Sequence, residues 1–99
     1  MIGGIAGTKI ANLRPTITDS TWVPGLSSNP TQRKLWVGLI FVPSDSSGNV
    51  LMRDVGDAGA GTEISVGQQI PLYDFDPATV EFQGAAAGAV VTLSGTWAS

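Results

Sequence analysis

Apolar and polar residues alternate with a period of two in most of the chain, and the clearest case is residues 80–97 (VEFQGAAAGAVVTLSGTW). Val80 and Phe82 point one way, and beyond Gly84–Gly88 an apolar row formed by Val91, Leu93 and Trp97 resumes. A helix would scatter these side chains around its axis, whereas a strand places them on one face. The pattern therefore predicts two strands joined by a glycine-rich hairpin turn, and it excludes a helix-pairing or phosphate-binding role for the glycines.

Residues 34–42 (KLWVGLIFV) form the most apolar segment and predict a strand that is covered on both faces. Alternation places Leu35, Val37, Leu39 and Phe41 on one face, and Trp36, Ile40 and Val42 on the other. Such a strand belongs at the centre of a sandwich or at a contact between subunits. Residues 43–48 predict a turn, and residues 49–55 the returning partner of a hairpin.

Further strands are predicted at residues 8–13, 62–66 and 70–75, so that strands dominate the single domain of 99 residues. In the segment 62–66, Ile64 and Val66 are expected to point inward. The predicted fold is all-β, a small antiparallel sandwich or barrel-like domain with a long irregular N-terminal arm segment. The predicted core consists of Val37, Leu39, Phe41, Phe82, Val91, Leu93 and Trp97.

The arm, residues 14–33 (RPTITDSTWVPGLSSNPTQR), contains three prolines and shows no sustained period. Trp22 within it either folds back as a lid on its own sheet or docks on a neighbouring subunit, and we favour the neighbour. Irregular segments of this length are often functional. The residues predicted to bind a partner are Ile17, Trp22, Val23 and Leu26.

Charged residues make up 13% of the chain, about half of the ~25% that is typical of soluble domains. The chain has no cysteine and no histidine, which removes disulfides, thiolate and imidazole metal ligands and the usual general base. A chain this short has a narrow stability margin, and oligomerisation remains as the means of widening it.

The net charge of −3 argues against a nucleic-acid partner. No apolar run reaches the ~18 residues of a membrane span, and residues 1–9 do not resemble a secretory signal.

Motifs that would carry catalysis or bind a cofactor are incomplete, so we expect no enzyme, no cofactor and no metal. Asp57-Ala58-Gly59 lacks the hydroxyl residue found in the Asp-Thr-Gly of small dimeric aspartic proteases. Asp54 with Asp57, and Asp74 with Asp76, could offer oxygen ligands to Ca²⁺, although neither spacing matches a calcium loop. Aspartates that initiate turns are the simpler interpretation.

The second half of the chain resembles small virion accessory proteins of tailed bacteriophages, including capsid decoration (cement) proteins and head- or tail-associated β proteins. The resemblance covers about half of the chain, where a glycine precedes a strand opening with Pro-Leu, followed by an apolar strand, a Gly/Ala-rich turn and a last strand of valine and threonine. The matching positions are Gly67, Ile70–Leu72, Val80, Phe82, Gly84–Gly88 and Val90–Leu93. The resemblance implies a non-enzymatic structural protein, located in the virion, that binds a major capsid or other virion protein, often as a homotrimer.

An adhesin-like or carbohydrate-binding module on a spike or fibre is the alternative function. It predicts that exposed Tyr73 or Trp22 forms a stacking platform for a sugar. A monomer that binds a specific glycan would favour this alternative.

Overall fold

The computed structural model describes residues 9–26 and 34–97, which form eight β-strands and the short 3-10 turn Pro77–Thr79. Asp76 caps this turn by accepting a hydrogen bond from the backbone N–H of Ala78. No helix within these two ranges has the length and apolar character needed to cross a membrane. The strands are β1 (Lys9–Leu13), β2 (Val23–Pro24), β3 (Leu35–Phe41), β4 (Val50–Asp54), β5 (Thr62–Ile64), β6 (Gln69–Phe75), β7 (Val80–Gly84) and β8 (Thr92–Trp97).

The strands form two antiparallel four-stranded sheets, which confirms the predicted all-β sandwich. Sheet A has the order β1-β8-β3-β6, and sheet B has the order β2-β7-β4-β5. Apolar side chains from both sheets fill the space between them, and each fully buried one contributes roughly 1.5–3 kcal/mol. The largest fully buried apolar side chains are those of Phe82, Leu35, Ile40, Ile64, Leu93, Val42, Val50, Val91 and Pro77.

A β-bulge in β3 changes which face of this strand is buried. The register between β3 and β8 shifts between Leu35 and Val37, so that Trp36 is an extra residue. Because an extra residue reverses the alternation, buried Leu35 lies on the same side as Ile40 and not as Val37. The prediction that Val37, Leu39 and Phe41 form the core is therefore wrong: Val37 is exposed, and Leu39 and Phe41 are only half-buried.

The rest of the predicted core is largely confirmed. Phe82, Val91 and Leu93 are fully buried, and Trp97 is half-buried. Ile64 is buried as predicted, but Val66 is exposed because β5 ends at Ile64 and a turn follows.

Both predicted hairpins are wrong, because each of the segments concerned crosses from one sheet to the other. β3 lies in sheet A and β4 in sheet B, and likewise β7 lies in sheet B and β8 in sheet A. The two crossing segments pack on each other: the Ser47 hydroxyl donates to the Ala87 carbonyl at 2.6 Å, and the Ala85 N–H donates to the Asn49 carbonyl at 2.9 Å. A Cβ on Gly48 would lie 2.8 Å from the Cβ of Ala86. The small residues of 84–88 are therefore required by the close approach of another backbone.

Residues 18–24 of the arm pack on the edge and the outer face of sheet B, and residues 27–33 lie outside the described part of the chain. The Gly84 N–H donates to the Thr18 carbonyl at 2.8 Å, and the Gln83 side chain donates to the Asp19 carbonyl at 3.0 Å. The two-residue strand β2 then adds to the edge of β7. These contacts hold the start of the arm against its own domain.

Candidate functional site

The candidate site is the outer face of sheet A, which is the face turned away from the core. Its central row runs across all four strands, because Ile10 on β1 lies opposite Thr96 on β8, Thr96 lies opposite Val37 on β3, and Val37 lies opposite Tyr73 on β6. The next row consists of Asn12, Ser94, Leu39 and Pro71. We call these two rows, together with Trp36 and Phe41, the outer face of sheet A.

This face exposes four large side chains: Ile10 at 85%, Trp36 at 63%, Val37 at 47% and Tyr73 at 68% of their full accessible surface. Single exposed apolar residues are ordinary, but a contiguous patch marks an interaction site. Four strands spaced by about 4.8 Å and five to seven residues long give a face of roughly 400 Å². The apolar side chains cover only part of that area, because Thr96, Asn12 and Ser94 also lie on the face.

The bulge builds a shallow pocket on this face. Trp36, Val37, Tyr73 and Asp74 line a volume of about 270 Å³. Asp74 has a φ of 52°, in the left-handed region that aspartate tolerates better than most residues. The extra residue in β3 and the left-handed residue in β6 both interrupt regular strand geometry where the two aromatic rings lie.

Trp22, the main residue predicted to bind a partner, contacts its own domain. Its ring lies over the Arg53 guanidinium, with 3.9 Å between the guanidinium carbon and the ring centroid. Arg53 also donates to Glu81 at 2.6 Å and to the Gly59 carbonyl at 2.8 Å. Trp22 is therefore one member of a stacked, hydrogen-bonded cluster on the outer face of sheet B. This is the folded-back arrangement considered for Trp22, and additional contact with a neighbour stays a prediction.

The other three predicted partner-binding residues are Ile17, Val23 and Leu26, and all three are half-buried. Ile17 packs against the core, and Val23 lies in β2 opposite Phe82. Val23 and Leu26 line an open pocket of about 300 Å³ together with residues 13–16. Partner binding by these residues also remains a prediction.

Sequence reasoning did not identify the outer face of sheet A as the exposed one, although it recognised that residues 34–42 are apolar on both sides. The sequence gives no signal for the extra residue at Trp36, because Gly38 lies in regular register and is a glycine where a Cβ would meet the Phe75 ring at 2.8 Å. The bulge between Leu35 and Val37 puts Leu35 on the same face as Ile40 and Val42, so the residues after it face opposite to the simple alternation from Leu35.

Groups that could bind a metal or perform catalysis are sparse in the described ranges. These residues contain no cluster of three or more acidic side chains that could hold a metal ion. Asp57 accepts a hydrogen bond from the Gly59 N–H at 2.9 Å, and Asp76 accepts one from the Ala78 N–H at 2.9 Å. Both carboxylates therefore form local turn contacts.

Comparison with known proteins identifies a similar fold. No protein-family model matches the chain, and no curated protein matches it significantly. A solved structure described as "Bacillus endospore appendages form a novel family of disulfide-linked pili" contains a chain with 17% sequence identity and a TM-score of 0.52. The match covers 91% of this chain and 82% of that chain. At 17% identity, this match shows that the two chains share a β fold. The similar chain comes from a structure of pili.

Proposed function

We propose that this chain is a non-enzymatic structural protein that assembles with copies of itself through the outer face of sheet A. The observation that carries the proposal is the contiguous row from Ile10 to Tyr73, which leaves large apolar side chains in water on a sheet whose other face is packed. The likeness to a subunit of a pilus supports assembly among like subunits.

A second copy fits this face better than a charged partner does. The face has one acidic residue at its margin, Asp74, while its two defined rows consist of apolar, hydroxyl and amide side chains. Burying such a face removes apolar area from water at about 25 cal/mol per Å² and leaves few charges to desolvate. Because the 99 residues contain no cysteine, disulfides between these residues cannot join the copies, unlike in the disulfide-linked pili.

Within this class, the finer proposal is an accessory protein of a bacteriophage particle, in which like subunits stabilise the capsid or a head or tail surface across neighbouring subunits. Its support is the resemblance of residues 67–93 to virion β proteins. Electron microscopy of the assembled chain separates the candidates. A compact oligomer, such as a trimer, that binds phage heads or tails supports the virion role, whereas filaments formed by the chain alone contradict it.

Sedimentation velocity tests self-assembly directly. We expect the wild-type chain to form species larger than the 10.2 kDa monomer at micromolar concentration. Trp36→Ala should weaken association at least tenfold. The matched control is Val55→Ser, which alters an exposed apolar residue outside sheet A and should leave association unchanged. A wild-type chain that stays monomeric at several hundred micromolar would contradict the proposal.

The pocket at Trp36 favours carbohydrate binding as a second candidate function. Two exposed aromatic rings can stack on the C–H face of a sugar, and the Asp74 carboxylate can accept hydrogen bonds from its hydroxyl groups. Titration calorimetry with neutral oligosaccharides would test it. Binding by the wild-type monomer that is lost in both Trp36→Ala and Tyr73→Ala would favour this function over assembly.

A further inference from the structure

The outer face of sheet A is smaller than a standard protein–protein interface. The edges of the two sheets are the other surfaces that could contact a second copy. A standard protein–protein contact buries ~800 Å² of accessible surface on each partner, and the flat area of this face is roughly half of that. A second contact is therefore needed if copies are to assemble stably. Edge strands supply contacts of another kind, because their unpaired N–H and C=O groups can bond to a strand of another chain.

Three of the four edge strands carry features that hinder such pairing. In sheet B, β2 has two residues, one of them Pro24, and β5 has three residues. In sheet A, β6 has seven residues but contains Pro71 and the left-handed Asp74. Short strands, prolines and irregular backbone are the means by which proteins protect sheet edges. The fourth edge strand, β1, has five residues without proline or a left-handed residue.

The hydrogen-bond pattern shows which groups of β1 point away from the sheet. The Val42 N–H donates to the Gln68 carbonyl at 3.3 Å, so residues 38, 40 and 42 direct their backbone groups toward β6. Pro71, which has no N–H, lies opposite Leu39. At this position the backbone groups of the two residues point away from each other, so the missing N–H costs no hydrogen bond between β3 and β6. The alternate residues of β3 therefore bond to β8.

The same alternation of hydrogen-bonded residues, continued from β3 through β8, shows which residues of β1 bond to β8. Because residues 92, 94 and 96 of β8 bond to β3, residues 93, 95 and 97 bond to β1. Their partners are residues 13, 11 and 9. The N–H and C=O groups of Ile10 and Asn12 therefore point outward from the edge of β1, which has no strand partner on that side among residues 9–26 and 34–97.

We infer that β1 pairs antiparallel with β1 of a second copy, which joins two A sheets into one sheet of eight strands. This inference rests on the proposed function, because it supplies the second contact that self-assembly needs. Ile10 of one copy then lies opposite Asn12 of the other, and Ala11 lies opposite Ala11. The register forms four backbone hydrogen bonds, two for each Ile10–Asn12 pair.

The side chains of β1 are compatible with this register. The Ala11 positions meet on the inner side, where Ala11 is already buried and small. The two Ile10 side chains become diagonal neighbours about 7–8 Å apart on the outer face, which extends the apolar row across both copies.

Two substitutions test this pairing. Asn12→Pro removes an outward N–H and no bond to β8, so we expect self-association at least tenfold weaker with little change in melting temperature. Ala11→Pro is its matched control, because it removes an N–H that bonds to β8 and should lower the melting temperature clearly.

Ala11→Cys in this cysteine-free chain should form a disulfide dimer on mild oxidation, since paired strands bring the two Cα atoms within disulfide range. Thr62→Cys on the β5 edge should not.

The outcomes separate this inference from the proposed function. Unchanged association of Asn12→Pro, together with loss in Trp36→Ala, overturns the pairing and leaves assembly through the face intact. A monomeric wild-type chain overturns both. If Asn12→Pro does not fold, the cysteine variants decide, and dimer yields that are equal for Ala11→Cys and Thr62→Cys overturn the pairing.

Discussion

The outer faces of the two sheets differ in the way they are covered. On sheet B, the start of the arm crosses the face, Trp22 stacks on Arg53, and Arg53 is paired with Glu81. The side chains of that pair are only 18% and 11% exposed. On sheet A, Trp36 and Tyr73 stay exposed, and the described residues place no comparable segment over them. Within residues 9–26 and 34–97, the arm covers the polar outer face of sheet B, and the apolar outer face of sheet A has no such cover.

This difference separates stability from association. A residue on the outer face of sheet B should contribute to folding of the single chain, because its contacts lie within that chain. A residue on the outer face of sheet A should matter mainly when copies meet. Substitutions on the two faces should therefore affect different measurements.

The largest effect on stability should come from Glu81→Ala, which leaves Arg53 without its carboxylate in a mostly buried position. We expect the free energy of unfolding to fall by about 3 kcal/mol, and urea denaturation measures this loss. The control is Glu63→Ala, which removes an exposed carboxylate from sheet B and should cost less than about 1 kcal/mol. Equal losses for the two variants would show that the cluster around Arg53 has no special role.

The next largest effect on stability should come from Trp22→Ala, and Trp36→Ala is the comparison. Trp22→Ala removes the ring stacked on Arg53 and should cost about 2 kcal/mol, with association unchanged. Trp36→Ala removes a mostly exposed ring and should cost less than about 0.5 kcal/mol, while association weakens. Both are measured by urea denaturation and by sedimentation velocity. If Trp22→Ala weakened association without destabilising the chain, the original prediction of partner binding by the arm would be supported instead.

The smallest effect on stability should come from Tyr73→Ser, which removes an exposed ring at the β6 end of the row. We expect the melting temperature to change by no more than a few degrees, as for other exposed positions. Association should weaken about tenfold, less than in a combined Trp36→Ala and Tyr73→Ser variant. A loss of more than about 2 kcal/mol would mean that Tyr73 is part of the packing of the single chain.

The sequence predicts the strands well and their pairing poorly, for physical reasons. Alternation is a local property, so the apolar rows of residues 80–83 and 91–97 could be found without the structure. The partner of a strand depends on the path of the connecting segment. Gly84–Gly88 has the composition of a hairpin turn, yet it crosses between sheets because its small residues fit against Gly48.

A shift of one residue in the register of β3 decides which of its side chains lie on the candidate site. Alternation through Leu35, Val37 and Leu39 assumed a regular strand, and the extra residue at Trp36 reversed the buried side. Similarly, the sequence located Trp22 in an irregular segment but gave no means of finding Arg53, which lies 31 positions away and stacks on its ring. Both features come from tertiary pairing.

Thiol labelling at matched positions tests most directly whether the outer face of sheet A is the contact between copies. Thr96→Cys places a cysteine in the middle of the exposed row, and Leu51→Cys places one on the outer face of sheet B. As protein concentration rises through the assembly range, labelling of Thr96→Cys should slow at least tenfold, and labelling of Leu51→Cys should stay constant. Labelling rates of Thr96→Cys that do not depend on concentration, in a sample that assembles, would contradict the account.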